Sequence, residues 1–256
     1  MIKKIVVKVG TSTLTYENGK SNLRRMEKLA AVLSDIQNSG IQVVLVSSGA
    51  IGVGVQKMGL EERPEDNAGR QAASSVGQTE LMFMYDKFFG EYNQTISQLL
   101  LTKEDIDDEK RRNNLINTFN KLFEYGIIPI VNENDSISVS EIEFGDNDTL
   151  SAYTAVLIDA DMLIILSDID GLYTDNPKAN DKANLIPIVE KVTDELYETA
   201  SGAGSKRGTG GMITKLNAAK IATENHIDMI IMNGSMPSRL YKAIDGKPIG
   251  TFFKRQ

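Results

Sequence analysis

Short apolar runs alternate with longer amphipathic stretches along most of this chain. Between residues 22 and 38, apolar side chains recur every three or four residues, at Leu23, Met26, Leu29 and Leu33, which places them on one face of a helix. Short runs that are apolar almost throughout are typical of strands buried on both faces of a mostly parallel sheet. Strands are therefore predicted over 5–9, 41–46, 96–101, 127–131, 162–166 and 229–232, and helices over 22–38, 66–90, 108–125, 148–159 and 211–225.

This alternation of strands and helices predicts an α/β sandwich with a mostly parallel central sheet. Glycines follow or end several predicted helices, at Gly40, Gly90 and Gly126, where we expect left-handed turns. Residues 136–143 instead alternate polar and apolar side chains one by one, which predicts an exposed hairpin or flap. Since no repeat or domain linker interrupts the pattern, a single domain over residues 1–256 is expected.

Composition and charge exclude several classes of function. The chain has no cysteine and one histidine, so disulfides, cysteine metal sites and histidine-based triads have almost no support. Its 28 basic residues stand against 35 acidic residues, whereas nucleic-acid-binding domains normally carry a basic excess. The N-terminus does not read as a signal peptide, and no apolar run approaches the length that spans a membrane. We expect a cytoplasmic protein with no nucleic-acid or membrane partner.

Two glycine- and hydroxyl-containing turns follow the first two predicted strands. Lys8 lies near the end of the first strand, where a buried ammonium is costly unless it meets an anion, and Gly10 follows it. The second strand runs into Ser48, Gly49 and Ala50, where a helix N-terminus offers free N–H groups to a carboxylate or phosphate. Ligands of open α/β sheets bind beyond the carboxyl ends of the strands. Both turns are therefore candidate ligand sites. The alternative for the first is an exposed lysine at the strand end above a hydroxyl-rich turn, and for the second a tight strand-to-helix turn whose glycines serve packing.

Two clusters of asparagine and aspartate bracket the predicted flap. Asn132, Asn134 and Asp135 precede it, and Asn147 and Asp148 follow it. Amide and carboxylate groups suit an α-amino acid, whose ammonium needs acceptors and whose carboxylate needs donors. Such residues also serve turn geometry through their own backbone. The two clusters together favour an amino-acid-binding mouth above the sheet.

The C-terminal third contains a candidate phosphate site. Glycines free the first-turn N–H groups of a helix, and the side chain of Lys215 tilts back toward that N-terminus. A flexible glycine loop that caps a helix is the alternative interpretation, and P-loop and dinucleotide fingerprints are absent. The candidate nucleotide-binding residues are Lys8, Gly10, Ser167, Asp168, Thr209, Gly210, Gly211, Met212, Ile213, Thr214 and Lys215.

Six segments together resemble, in order, the motifs of the amino acid kinase family. They occupy 8–12, 48–51, 132–135, 145–148, 171–174 and 208–212, and the resemblance extends from residue 5 to residue 252. The Asn-Glu-Asn-Asp segment at 132–135 is similar to that of the members that phosphorylate glutamate. The resemblance implies a three-layer α/β/α fold, with an amino-acid-binding side over about 1–160 and a nucleotide-binding side over about 161–256. It also implies a short form of the chain, which ends about where many members begin a C-terminal PUA-type domain.

The same resemblance implies roles for individual residues. Lys8 and Lys215 would stabilise the transferred phosphoryl group, and Asp148 would position them. The positions that match substrate-binding ones are Ser48, Gly49, Ala50, Asn132, Asn134, Asp135 and Asn147. The implied reaction uses ATP and Mg²⁺ to phosphorylate the side-chain carboxylate of L-glutamate, which gives L-glutamyl 5-phosphate, the first step of proline biosynthesis. A homo-oligomer and feedback inhibition by proline are also implied, while no protein ligand of the metal can be named.

Two other functions stay open on the sequence alone. One is a related kinase that acts on another small carboxylate or on carbamate, which a substrate panel would distinguish. The other is a non-catalytic amino-acid sensor, which would bind its ligand without turning over ATP. The presence of Lys8, Asp148 and Lys215 argues against the sensor, because ligand binding alone needs no phosphate-stabilising lysines.

Overall fold

One mostly parallel sheet forms the middle layer of the structure. The computed structural model describes residues 2–16, 18–137, 146–177, 180–201 and 211–256, and eight strands within these ranges form the sheet in the order β3-β4-β2-β1-β5-β7-β8-β6. All of its strand pairs are parallel except β7 with β8. The strands are β1 (Lys4–Val9), β2 (Gln42–Ser47), β3 (Ile96–Leu101), β4 (Ile128–Glu133), β5 (Met162–Ser167), β6 (Ile188–Val189), β7 (Asp228–Asn233) and β8 (Thr251–Phe253).

Helices cover both faces of this sheet and bury a hydrophobic core on each. In β1, Val6 contributes to one core and Ile5 and Val7 to the other, as the alternation of side chains along a strand requires. Phe119 and Leu216 belong to the first core. The helices are α1 (Thr11–Leu14), α2 (Leu23–Asn38), α3 (Ala50–Lys57), α4 (Asn67–Gly90), α5 (Lys103–Asp107), α6 (Glu109–Glu124), α7 (Asn147–Leu157), α8 (Asp194–Ser201), α9 (Met212–Glu224) and α10 (Leu240–Ile244), with a 3₁₀ turn at Pro237–Arg239.

The predicted α/β sandwich with a mostly parallel sheet is confirmed, and each predicted strand and helix is present to within two residues at either end. The prediction that 96–101 is buried on both faces is wrong. This strand, β3, lies at the edge of the sheet, and most of its side chains are only partly buried. Gly90 also differs from expectation, because it is the last residue of α4 and the left-handed conformation falls on Asn93, with φ of 55°. Most of the predicted flap at 136–143 lies outside the described residues.

The topology brings several element ends together at one edge of the sheet. Because β1, β2, β4 and β5 are parallel, their carboxyl ends meet there, and the N-termini of α3 and α7 follow β2 and the predicted flap. The backbone N–H of Ser48 donates to the carbonyl of Val9, which joins the end of β2 to the end of β1. In the part of the chain that the structure describes, no helix is long and apolar enough to cross a membrane.

Candidate active site

A buried aspartate lies between two lysines that are far apart in the sequence. Lys8 Nζ is 2.6 Å from Asp148 Oδ1, and Lys215 Nζ is 3.0 Å from Asp148 Oδ2. Asp148 is fully buried, and Lys8 and Lys215 are 7% and 6% exposed. The Oγ1 atom of Thr214 lies 2.8 Å from Asp148 Oδ2 and completes the contacts of this carboxylate. The structure therefore brings the three predicted catalytic residues into one cluster.

Each member of this cluster is positioned by the end of a strand or helix. Lys8 is next to last in β1, and Asp148 lies in the first turn of α7, which Asp146 caps by accepting from the N–H of Thr149. Lys215 lies in the first turns of α9, and since helical side chains tilt toward the N-terminus, it reaches back to α7.

The electrostatics of the cluster keep Asp148 ionised and leave positive charge in excess. Burial alone would raise the pKa of Asp148, but the charges of Lys8 and Lys215 and the hydrogen bond from Thr214 outweigh it and lower this pKa to about 2. Two ammonium groups then face one carboxylate. The cluster carries a net charge of about +1 and suits a bound anion. A carboxyl with so low a pKa is a poor general base.

A chain of amide hydrogen bonds connects the ends of β2, β4 and α7. Asn147 Nδ2 lies 2.8 Å from Ser48 Oγ and 2.9 Å from Asn132 Oδ1. Asn132 in turn donates from Nδ2 to Gln78 Oε1 on α4, at 2.9 Å. The predicted substrate residues Ser48, Asn132 and Asn147 thus form one connected group.

A polar cavity of about 560 Å³ opens beside this group of amides. Of the seven predicted substrate-binding residues, six line it, and Asn134 is not among its lining residues. The N-terminus of α3 faces the cavity, and Gly49 adopts a φ of 106°, which a residue with a side chain rarely adopts. The lining residues that the sequence interpretation missed include Arg63, Arg70, Gln71, Glu133 and Asp146.

The predicted nucleotide-binding residues lie at the carboxyl ends of β1 and β5 and at the start of α9. A side chain added at Gly10 would come 3.5 Å from Lys8 Nζ, so the backbone here is close to the lysine. Ser167 ends β5, the strand paired with β1, and Asp168 follows it; Ser167 Oγ lies 3.2 Å from Asp168 Oδ1. Gly211, Met212, Ile213 and Thr214 begin α9. Thr209 and Gly210 lie outside the described residues.

Clusters of histidine, cysteine, aspartate and glutamate side chains commonly bind metal ions in proteins. In the described ranges, no group of three or more such side chains is arranged to hold a metal ion. Asp148 already engages two lysines, which compete with a cation for its oxygens.

Comparison with known proteins decides the family. The profile of the amino acid kinase family matches residues 3–233. The chain belongs to the amino acid kinase family. It is 57% identical to the glutamate 5-kinase of Clostridium perfringens (strain 13 / Type A) over 255 residues, which cover 98% of this chain and 95% of that relative. It is 51% identical to the glutamate 5-kinase of Listeria welshimeri, with coverage of 98% and 92%.

Solved structures of two other kinases share the fold at low sequence identity. Carbamate kinase from Giardia lamblia bound to AMP-PNP superposes with a TM-score of 0.72 at 16% identity, over 99% of both chains. UMP kinase from Bacillus anthracis superposes with a TM-score of 0.66 at 16% identity, over 99% of this chain and 96% of the other. These similarities confirm the amino acid kinase fold.

Proposed function

We propose that the protein transfers the γ-phosphoryl group of MgATP to the side-chain carboxylate of L-glutamate and releases L-glutamyl 5-phosphate and ADP, the first step of proline biosynthesis. The observation that carries this proposal is the buried Lys8–Asp148–Lys215 cluster beside a polar cavity. The 57% identity to a curated glutamate 5-kinase over nearly the whole chain supports the choice of substrate.

The reaction needs no general base. A glutamate carboxylate oxygen is already an anionic nucleophile, and its attack forms a new bond to the γ-phosphorus while the bond to the β-phosphate oxygen breaks. ADP leaves with that electron pair, and no proton moves. The barrier comes from bringing two anions together and from the charge on the phosphoryl oxygens, so fixed cations and positioning supply the catalysis. Lys8 and Lys215 provide the cations, and Asp148 holds their amines near each other.

The cavity offers complementary groups for glutamate. Ser48 and the backbone N–H groups at the start of α3, from Gly49 and Ala50, suit a carboxylate, because a helix N-terminus favours negative charge. Asp135 and Asn147, with Asn132 behind them, suit the α-ammonium group, which needs acceptors. We leave Asn134 out of this contact set because it does not line the cavity.

The nucleotide is proposed to bind on the other side of the cluster. Its phosphates would lie against Gly10 and the start of α9, at Gly211–Lys215, and Ser167 and Asp168 would contact the nucleotide beyond them. Thr209 and Gly210 stay predicted phosphate contacts from the sequence alone. Magnesium enters as part of the substrate MgATP, where phosphate oxygens and water coordinate it and where it neutralises phosphate charge. The homo-oligomer and the inhibition by proline that the family resemblance implies stay predictions.

Trapping the acyl phosphate tests the proposed reaction. The protein is incubated with MgATP, L-glutamate and hydroxylamine, and we expect glutamyl hydroxamate and ADP in equal amounts, both dependent on glutamate. Aspartate, N-acetylglutamate and carbamate serve as competing acceptors in separate reactions. Preferential turnover of one of these would assign the protein to a related kinase activity. Glutamate binding without ADP release would identify a sensor instead.

A further inference from the structure

Two polar side chains on α4 are buried where a helix would ordinarily place apolar ones. Ser74 and Gln78 are 3% and 7% exposed and lie one turn apart, on the same face as the fully buried Leu81 and Tyr85. Buried polar groups carry a desolvation cost unless they are hydrogen-bonded. Ser74 donates a hydrogen bond to Asp135, which follows β4, and Gln78 accepts one from Asn132, near the end of β4.

Ser74 holds a carboxylate that is proposed to bind the substrate. Its hydroxyl donates to Asp135 Oδ2 at 2.9 Å. Asp135 lies just beyond the end of β4, in a turn, and lines the cavity. The bond from a rigid helix therefore fixes the rotamer of this carboxylate at the wall of the cavity.

Gln78 contacts the Asn132 end of the chain of amide hydrogen bonds. The backbone N–H of Glu133 donates to Asn132 Oδ1 at 2.9 Å, which directs Asn132 Nδ2 toward Gln78 Oε1. Asn132 Oδ1 then also accepts from Asn147 Nδ2, at 2.9 Å. Asn147 Nδ2 has three protein acceptors, Ser48 Oγ at 2.8 Å, Asn132 Oδ1 at 2.9 Å and the carbonyl oxygen of Ser47 at 3.3 Å, so both hydrogens of this amide are engaged within the protein.

This sequence of bonds determines which atom Asn147 presents to a ligand. With Nδ2 committed to Ser48 and Asn132, Oδ1 is the atom of this amide that can accept from a molecule in the cavity. Asp135 offers a second acceptor on the same wall. An α-ammonium group carries three N–H donors, so two oriented oxygens match it, whereas a misoriented amide would present a repelling N–H.

The same helix also fixes the other wall of the cavity. At Gly77, which lies between Ser74 and Gln78 in the sequence of α4, an added Cβ would lie 1.8 Å from the carbonyl oxygen of Ala50, and at Gly54 it would lie 1.7 Å from that of Ala73. The backbones of α3 and α4 are therefore in direct contact. As a result α4 supports both the carboxylate-binding turn at the start of α3 and the acceptors at the end of β4.

We propose that Ser74 and Gln78 are positioning residues that orient Asp135 and the Asn132–Asn147 pair as acceptors for the substrate's α-ammonium group, and so confer selectivity for an α-amino acid over the same diacid without the amine. This inference rests on the proposed glutamate kinase activity. Neither residue contacts the reacting atoms, so each acts through the side chain that it holds.

Kinetic constants of Ser74→Ala and Gln78→Met test the inference, with glutarate as the probe because it is glutamate without its amine. We expect the KM for glutamate to rise about tenfold in each variant, while kcat, the KM for ATP and the inhibition constant of glutarate stay within about twofold of wild type. Ser75→Ala is the matched control for Ser74→Ala, because Ser75 is exposed on the same helix and its hydroxyl donates to the carbonyl of Ala72 within that helix. Gln94→Met, away from the cavity, controls for the glutamine substitution.

The outcomes separate this inference from the proposed function. A wild type that does not phosphorylate glutamate overturns the proposed function and the inference with it. If the wild type is active but the variants have an unchanged KM for glutamate, only the inference is overturned. The same holds if the variants bind glutamate and glutarate more weakly by the same factor, because a merely structural role would affect both diacids alike. Melting temperatures identify a variant that does not fold, and the other variant then decides.

Discussion

Replacing Asp148 by asparagine tests the central cluster most directly. The substitution keeps the shape of the side chain and one acceptor oxygen but removes the only carboxylate among the described residues that contacts both Lys8 and Lys215. Both ammonium groups then remain buried, at 7% and 6% exposure, and each loses its ion pair with Asp148. Removal of one partner from a buried ion pair costs about 3–5 kcal/mol. Since the amide still accepts one hydrogen bond, we expect a loss near the lower limit, about 3 kcal/mol in the free energy of unfolding.

The pH dependence of this loss has a definite sign. Because the pKa of Asp148 in the folded protein is lowered to about 2, the carboxylate stabilises the fold fully above its ordinary value of 3.8, and this contribution disappears as the pH falls toward 2. The difference in unfolding free energy between wild type and Asp148→Asn should be constant from pH 8 to pH 5 and should narrow below about pH 4.

Urea unfolding at several pH values measures this difference, and steady-state kinetics measure its catalytic counterpart. We expect kcat to fall by about 10²–10³, by analogy with the loss of one preorganised donor. Asp86→Asn is the matched control, since Asp86 is exposed on α4 and its replacement should change stability by less than about 0.5 kcal/mol. If the free energy of unfolding of Asp148→Asn lies within about 1 kcal/mol of the wild-type value at pH 7, and its kcat is normal, the reasoning is refuted.

Three further substitutions probe the lysine, the cavity and the helix contact. Lys215→Ala should lower kcat by about 10²–10³ with little change in the KM for glutamate. Lys220→Ala, on the exposed side of α9, is its control, and a near-normal kcat for Lys215→Ala would exclude the proposed role. Asp135→Ala should weaken glutamate binding about tenfold in calorimetry with ATP binding unchanged, and an unaltered glutamate affinity would reject this contact. Gly77→Ala should destabilise the fold by about 1–3 kcal/mol in urea unfolding, because its Cβ would overlap the α3 backbone. Gly90→Ala, with nothing within 4 Å of its added Cβ, should be neutral or slightly stabilising, and equal behaviour of the two variants would contradict the close contact.

The fold could be predicted from the sequence wherever apolar side chains follow a single periodicity along a segment. The strands β1, β2, β4, β5 and β7 are apolar on both faces, because helices cover both sides of the sheet, and their sequences show it directly. The position of β3 at the edge depends on how strands pair over long distances, which local periodicity does not encode. The strands β6 and β8, of two and three residues, are too short for any period to identify.

The site was predictable in its strand-end motifs and less so in its supports. Lys8 indicated an anion because a buried ammonium requires one, but that the anion is Asp148 followed only from the family resemblance. Ser74 and Gln78 were missed because serine and glutamine in a helix usually face solvent. Ser74 and Gln78 recur at helical spacing with Leu81 and Tyr85, which places these two polar residues on the apolar face of the helix. That spacing could have identified them from the sequence.

The need for an aspartate in this cluster follows from the physics of the free enzyme. Two buried ammonium groups close enough to share one phosphoryl group repel each other, and burial disfavours the charged form of each. Before the nucleotide binds, a carboxylate between them offsets both effects, and its pKa of about 2 keeps it ionised near neutral pH. Two full negative charges between the lysines would cancel the attraction for phosphate, and with no negative charge there the two ammonium groups would repel each other and separate. One carboxylate between two lysines preserves the excess of about one positive charge that the transferred group requires.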